Sequence, residues 1–374
     1  MNMFRTAATV FIATATVANA GGLDRSGQSL AVLFEQGRYA ELSFGGVDPN
    51  VSGVAGPLLG PGAGFESGSV SPHFSNFGAA YKADLNETLS YALIYDQPFG
   101  AAVDYSDASP FYFAAGAVAE FSSQALTGVL QYNLPSNISV FGGLRLQEVE
   151  ATANIPFIDA VFGYDVVGSP DWGVGYVVGM AYEKPEIALR VALTYNSEVE
   201  HSLDTVEMSP LDAGAPRSSQ TEIITPRSVN LEFQSGVAED TLVFGSVRWV
   251  EWGAFTIVPA DYETLTTMPL VAYPGDYVTW SLGLGRRLND MWSVAATVGY
   301  EEPLGELVNN LGPTDGFASV GLAATYTRDN MKITGGVRFI EVGSAETALP
   351  LAAPAGIFED NTAVAAGIKV GFTF

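Results

Sequence analysis

Fourteen stretches of the chain alternate apolar and polar residues with a period of two, or lie where such a strand is needed. The connections between them alternate strictly between short and long. Period-two alternation sends successive side chains to opposite faces of a strand, so each stretch has one greasy face and one small or polar face. The expected strands are 39–48, 76–84, 88–97, 120–133, 136–149, 171–183, 186–198, 227–237, 240–252, 277–287, 291–300, 316–327, 330–342 and 362–374. Six connections are tight, among them Asp84-Leu85-Asn86-Glu87, Asn133-Leu134-Pro135-Ser136 and Leu288-Asn289-Asp290, and carry the Asn, Asp or Pro that turns demand. Seven are long: 49–75, 98–119, 150–170, 199–226, 253–276, 301–315 and 343–361. An even number of antiparallel strands, with short turns at one end and long loops at the other, is the pattern of a bacterial outer-membrane barrel. The expected fold is therefore all-β, a transmembrane antiparallel β-barrel of about 14 strands over residues 39–374, with twelve or sixteen strands as alternatives.

The two faces support this reading. In 227–237 the outward set is Val229, Leu231 and Phe233, and the inward set is Asn230, Glu232 and Gln234. In 186–198, Ile187, Leu189, Val191, Leu193 and Tyr195 face out, and Ala188, Arg190, Thr194 and Asn196 face in. The last strand puts Val364, Ala366, Ile368, Val370, Phe372 and Phe374 on one side. An apolar strand with an open edge invites aggregation, whereas closure against the first strand removes the edge. A cation on the lipid face costs about 2–4 kcal/mol at mid-bilayer. Lys82, Arg145, Arg190, Arg248, Arg338 and Lys369 all fall on the inward parity and are assigned to the lumen. A soluble propeller or β-sandwich also has many short strands, but needs neither a lipid-facing parity on every strand nor the alternation of loop lengths.

Composition narrows the function. The chain is 48% hydrophobic and only 15% charged, against about a quarter charged in soluble domains. No mature run is long and apolar enough for a transmembrane helix. The net charge of −25 disfavours nucleic acid as a partner. It suits either solvated loops and lumen or divalent-cation bridging to anionic lipopolysaccharide. Cysteine is absent, so disulfides and soft-metal sites are excluded. The two histidines, His73 and His201, lie far apart in expected loops. No arrangement of Ser, His and Asp argues for catalysis, and no cofactor or metal is expected.

Residues 1–20 read as a secretory signal peptide, with Arg5 in the n-region, an apolar stretch from Ala7 to Val17, and Ala18-Asn19-Ala20 at the cleavage site. The long loops are unusually greasy. Residues 51–65 hold Val51, Val54, Leu58, Leu59 and Phe65; 98–119 hold Phe99, Val103, Tyr105, Phe111, Tyr112 and Phe113; 150–170 hold Ile155, Phe157, Ile158, Val161, Phe162 and Tyr164. Apolar groups on an outer surface must pack together or bind something hydrophobic. Two compatible readings are a packed cap over the barrel mouth and a groove in that cap where a hydrophobic molecule lands.

The chain resembles the outer-membrane long-chain fatty acid transporter family (FadL/TodX type). The residues that carry the resemblance are Gly21-Gly22-Leu23-Asp24-Arg25-Ser26-Gly27-Gln28-Ser29 with Leu33-Phe34-Glu35, Trp252-Gly253-Ala254-Phe255, and Asp315-Gly316-Phe317-Ala318-Ser319-Val320-Gly321-Leu322. The strand count and the terminal Phe374, similar to the assembly signal of outer-membrane proteins, agree with it. The resemblance implies a barrel whose N-terminal segment, here 21–38, folds inside as a lumen plug or hatch. It also implies capture of hydrophobic molecules at outer loops, passage past the hatch, and sideways release through the wall into the bilayer. The implied cargo is a fatty acid or an aromatic hydrocarbon; a general small-solute porin is the alternative. A plugged lumen needs no partner subunit, so a monomer in outer-membrane lipid is expected.

The candidate contacts follow. Leu30, Leu33 and Phe34 would lie in the lumen, as hatch packing or as ligand contacts. Phe111, Phe113, Phe157 and Phe162 would meet cargo at the loops. Arg145, Arg190, Arg248 and Arg338 would either pair with a cargo carboxylate or with inward Glu41 and Glu232. Pro98 and Gly100 end the third strand, where a kink could open the wall or the strand could simply stop.

Overall fold

The computed structural model describes residues 23–159, 161–349 and 352–374. The expected signal peptide, 1–20, lies outside the described residues. Among these residues fourteen strands close into an antiparallel barrel. They are β1 (Tyr39–Asn50), β2 (Phe74–Asp84), β3 (Leu89–Asp96, resuming as Gly100–Asp104), β4 (Val118–Asn133), β5 (Ile138–Asn154), β6 (Asp165–Lys184) and β7 (Leu189–Asn196, resuming as Val199–Met208). The circuit continues with β8 (Pro216–Thr225, resuming as Ser228–Ala238), β9 (Thr241–Val250), β10 (Tyr277–Arg287), β11 (Trp292–Glu301), β12 (Phe317–Arg328), β13 (Met331–Val342) and β14 (Asn361–Thr373). Closure is made by β1 against β14, in register from Tyr39↔Thr373 to Asn50↔Thr362. The Phe374 N–H donates to the Arg38 carbonyl at 2.8 Å.

The alternation in sequence becomes alternation in burial. Leu144, Val174, Val320 and Leu322 are exposed, whereas Phe141, Thr194, Asn196, Arg145, Arg248 and Arg338 are buried. On β14, Val364, Ile368 and Phe372 face out while Ala363 and Ala365 are buried. Closure of β14 on β1 pairs the backbone amides of the first and last strands, as strands in hydrocarbon require.

Three expectations need correction. Residues 199–226 were expected to be a loop, but Val199–Met208 and Pro216–Thr225 pair in register and extend β7 and β8 upward. Their inward residues His201, Leu203, Thr205 and Ile223 are buried, while Glu200, Asp204 and Glu222 point out. An outer face broken up by acids fits strands that continue beyond the bilayer, and it hides them from a search for greasy alternation. Likewise β3 resumes at Gly100 instead of ending there. Ile187 and Ala188 belong to the turn between β6 and β7, where Ala188 has a φ of 50°, and not to the strand.

The long loops pack into a cap, the first of the two loop readings. Ser52–Ala55, Glu66–Ser69, Ala345–Leu349 and Ala352–Phe358 form a four-stranded sheet over the mouth. Val51, Tyr105, Tyr112 and Phe358 make its core. The Tyr105 and Tyr112 rings stack at 5.7 Å, and the Tyr105 hydroxyl donates to the Asn310 carbonyl at 2.6 Å. Burial pushes the phenols of Tyr105 and Tyr112 above their ordinary range. A short helix, α1 (Ala260–Thr266), sits in the loop after β9. Its first turn receives the buried Glu207 carboxylate, which accepts from the Asp261 N–H at 2.9 Å and from the Tyr164 hydroxyl at 2.8 Å.

Candidate functional site

The N-terminal segment runs through the barrel and touches strands on opposite sides of it. Leu30 and Leu33 are buried with Tyr39, Ala92, Val129, Phe141, Val177 and Ala192, which point inward from β1 and β3–β7. Phe34 meets Phe141 edge-on at 6.2 Å, and the Arg190 guanidinium lies 4.5 Å from the Phe34 ring centre. Burying these side chains removes apolar area from water and anchors the segment. Leu30, Leu33 and Phe34 thus pack against the barrel wall.

A second anchor is polar. Arg248 of β9 forms an ion pair with Asp24, donates to Ser228 at 3.0 Å and Asn230 at 2.7 Å, and reaches Gln28 at 3.1 Å. The Ser29 hydroxyl donates to Glu232 at 2.7 Å, and the Asn230 side chain donates to the Gly27 carbonyl at 2.8 Å. Arg145 donates to Thr127 at 3.0 Å. Arg248 and Arg145 therefore serve the wall and the segment.

The wall is interrupted beside this segment. β2 and β3 pair from Asp84↔Ser90 up to Ala79↔Tyr95 and no further. Above that point β3 pairs only with β4, leaving Phe74–Gly78 of β2 with no ladder to β3 among the described residues. The break is Gln97-Pro98-Phe99, and a proline there has no N–H to give a ladder. The N-terminal segment fills the slot. The Arg25 N–H donates to the Pro98 carbonyl at 2.7 Å, and the Gly100 N–H donates to the Leu23 carbonyl at 2.7 Å. The Arg25 guanidinium donates to the Gly100 carbonyl at 2.8 Å and lies 4.2 Å from the Phe74 ring centre, spanning the slot from β3 to β2. A Cβ on Gly100 would come within 2.6 Å of that guanidinium, so a side chain there would have to displace it.

Three cavities converge on Leu23–Arg25. The outer one, about 60 Å³, is apolar and lined by Leu23, Phe121, Leu203, Ile223, Ile257 and Tyr273 among others. It belongs to a cluster in which Phe99 and Trp252 meet edge-on at 5.4 Å and Phe121 and Phe255 at 5.8 Å. Burial raises the Tyr273 phenol far above its ordinary range, keeping it neutral. A second cavity of about 100 Å³ shares Leu23, Ala101 and Tyr273 with the first and adds Asp24, Arg25 and Phe74. The third, about 340 Å³, lies past Asp24 and Arg25; it is lined by Ser43, Asn76, Asp96, Arg190, Arg248, Arg338 and Lys369, among others.

The sequence-derived candidates fall into three groups. Pro98 and Gly100 sit at the wall break. Arg190, Arg248 and Arg338 line the large inner cavity. Phe111, Phe113, Phe157 and Phe162 line none of the three cavities. Phe111 is 72% exposed and pairs with Phe65, and Phe113 pairs with Tyr112 and Phe157. Sequence reasoning missed Leu23, Leu203, Ile223, Ile257 and Tyr273. Leu23 and the neighbouring Trp252 and Phe255 stood in strings that it had singled out, but with no site role attached.

Comparison with known proteins agrees with this architecture. The family model described as outer membrane protein transport protein (OMPP1/FadL/TodX) matches residues 69–308. A FadL homologue of Pseudomonas aeruginosa superposes with a TM-score of 0.73 at 14% identity, covering 92% of each chain. The Pseudomonas putida toluene transporter TodX gives 0.62 at 13% identity over 96% of each chain. The Ralstonia pickettii toluene transporter TbuX gives 0.62 at 11% identity, covering 96% of this chain and 97% of that one. No curated protein sequence matches the chain.

Proposed function

The chain belongs to the OMPP1/FadL/TodX family of outer membrane transport proteins, and from that premise we propose that it carries long-chain fatty acids inward and releases them sideways through the wall. The family is one of hydrophobic-substrate transporters of the bacterial outer membrane, not of enzymes. The observation that carries the proposal is the convergence of an apolar outer cavity, a wall break and a large inner cavity on the three residues Leu23–Arg25.

The route follows from solvation. A hydrophobic molecule lands on the exposed cap, where Leu58, Phe111, Val161 and Phe162 offer apolar contact. It moves into the apolar cavity around Leu203 and Ile223 because burial there removes its surface from water at about 25 cal/mol per Å². Leu23 and Arg25, part of the 21–38 hatch, then shift from the slot, and the cargo passes between β2 and β3 into the bilayer. A greasy solute gains nothing from a watery lumen and gains much from hydrocarbon. The closed barrel works as a monomer, its loops against lipopolysaccharide and its belt against lipid.

Uptake of oleate by cells with and without the protein tests this, together with lipid analysis of the purified barrel. Unchanged uptake and a barrel free of amphiphile would sink it. A second reading, uptake of single-ring hydrocarbons, draws on the small outer cavity. Its volume of about 60 Å³ lies below the roughly 150 Å³ that holds benzene elsewhere, so even one ring needs some widening and a long chain needs more. TodX and TbuX are described as toluene transporters. A general porin would conduct ions freely, whereas a segment filling the lumen predicts a nearly silent channel in a planar bilayer.

A further inference from the structure

The inward cations of the barrel differ in one respect. Lys82 pairs with Asp84, Arg145 donates to Thr127, Arg248 pairs with Asp24, Lys369 pairs with Glu41 at 3.4 Å, and Arg190 lies over Phe34. Arg338 is 8% exposed and faces the 340 Å³ inner cavity, yet among the described residues it has no hydrogen bond and no ion pair. A guanidinium that faces an open cavity with no protein acceptor has five donors in a planar fork to offer a ligand.

The surroundings form a niche. In register, Arg338 of β13 lies opposite Gly321 of β12 and Ala365 of β14. A Cβ added to Gly321 would sit 3.7 Å from the Arg338 Nε. Next along the inner face of β12 is Ser319, whose buried hydroxyl also has no partner. Inward acids two strands away on either side are engaged: Glu41 of β1 with Lys369, and Glu301 of β11 with the Thr279 hydroxyl at 2.6 Å. Small residues leave room beside the fork, and no protein carboxylate fills it. The same cavity extends to Asn76 and Asp96, each with one buried oxygen lacking a partner, beside the β2–β3 break.

We propose that Arg338 is a head-group site: it takes the carboxylate of an amphiphilic cargo in the inner cavity while the alkyl tail lies toward the wall break. This rests on the transport reading above and deepens it, because a neutral hydrocarbon has no use for the site. Arg suits a carboxylate better than Lys, since two parallel N–H bonds hold both oxygens. The head group and the tail then have separate places, an arginine niche inside and an apolar cavity outside.

The test uses the full-length barrel in neutral detergent, with laurate, dodecanol and acetate as probes in calorimetric titrations. Wild type binds laurate more tightly than dodecanol, and acetate weakly. Arg338→Gln lowers laurate affinity at least about tenfold, the scale of a charged hydrogen bond, and leaves dodecanol unchanged; Arg338→Lys retains part of the preference. Heat-modifiable gel mobility checks the fold of each variant. Gly321→Asp supplies an internal carboxylate to the fork and gives the same selective loss, so the proposal does not depend on removing the arginine. Equal laurate affinity in wild type and Arg338→Gln, or parallel loss of laurate and dodecanol in a folded variant, overturns it. A wild-type barrel that binds dodecanol with no preference for laurate overturns the head-group site and leaves hydrophobic transport standing. A barrel that binds neither, with uptake unchanged on deletion, overturns both.

Discussion

Two halves of the barrel interior lie on either side of Leu23–Arg25, and the same strand rule fills them with opposite chemistry. On the outer side, inward positions of β4 to β8 are Phe121, Ala151, Ala153, Leu203 and Ile223, and the cavity is apolar. On the inner side, inward positions of β1, β9, β10, β13 and β14 include Glu41, Ser246, Arg248, Thr279, Arg338 and Lys369. The outer half can hold a tail, and the inner half can hold water or a charged head. Neither half alone makes a path for an amphiphile. The segment between them is hydrogen-bonded to the wall break.

The comparison can be broken most severely at the polar anchor. Arg248→Ala removes the guanidinium that pairs with the buried Asp24 carboxylate and is expected to destabilise the barrel by about 3–5 kcal/mol, measured by urea unfolding in liposomes; a loss under 1 kcal/mol would mean that the inner half does not hold the segment. Next comes the apolar half. Ile223→Trp fills the outer cavity, and overpacking of about 1–3 kcal/mol should weaken cargo binding roughly five- to 150-fold, read by titration with laurate. If affinity is untouched, cargo does not pass that cavity. The divide itself is probed by Gly100→Val, which drives Arg25 from the slot. The loss of a few hydrogen bonds, each about 0.5–1.5 kcal/mol, should raise uptake and ion leak severalfold without unfolding the barrel. The smallest effect is expected on the cap: Phe111→Ser at a well-exposed site should leave stability within about 0.5 kcal/mol and lower uptake only at low cargo concentration. A full loss of uptake there would move the selective site from the interior to the surface.

Much of this was legible from the residues. Closure of β14 on β1, the inward placement of all six named cations, and thirteen connections alternating in length rest on period two, a local property that needs no tertiary information. The expected span 277–287 matches β10 as observed, Tyr277–Arg287, because both of its ends lie in turn-forming strings. The upper halves of β7 and β8 were not legible, since Glu200, Asp204 and Glu222 interrupt their outer face. The outer cavity was not legible either: Leu23, Leu203, Ile223, Ile257 and Tyr273 meet only because strands and loops far apart in sequence close over one another.

The role of each arginine divides in the same way. Parity alone sent Arg145, Arg190, Arg248 and Arg338 into the lumen, because charge on the lipid face is too costly. Parity treats them alike. Which one found a carboxylate, which a hydroxyl, which a ring and which nothing depended on register across strands and on where the N-terminal segment runs. Arg248 meets Asp24 across 224 residues of chain, whereas Arg338 faces Gly321 and Ala365, which offer no side-chain acceptor. A solvation rule acts on each residue separately and can be read along the chain. Pairing is a property of two residues brought together by closure, and only the folded barrel decides it.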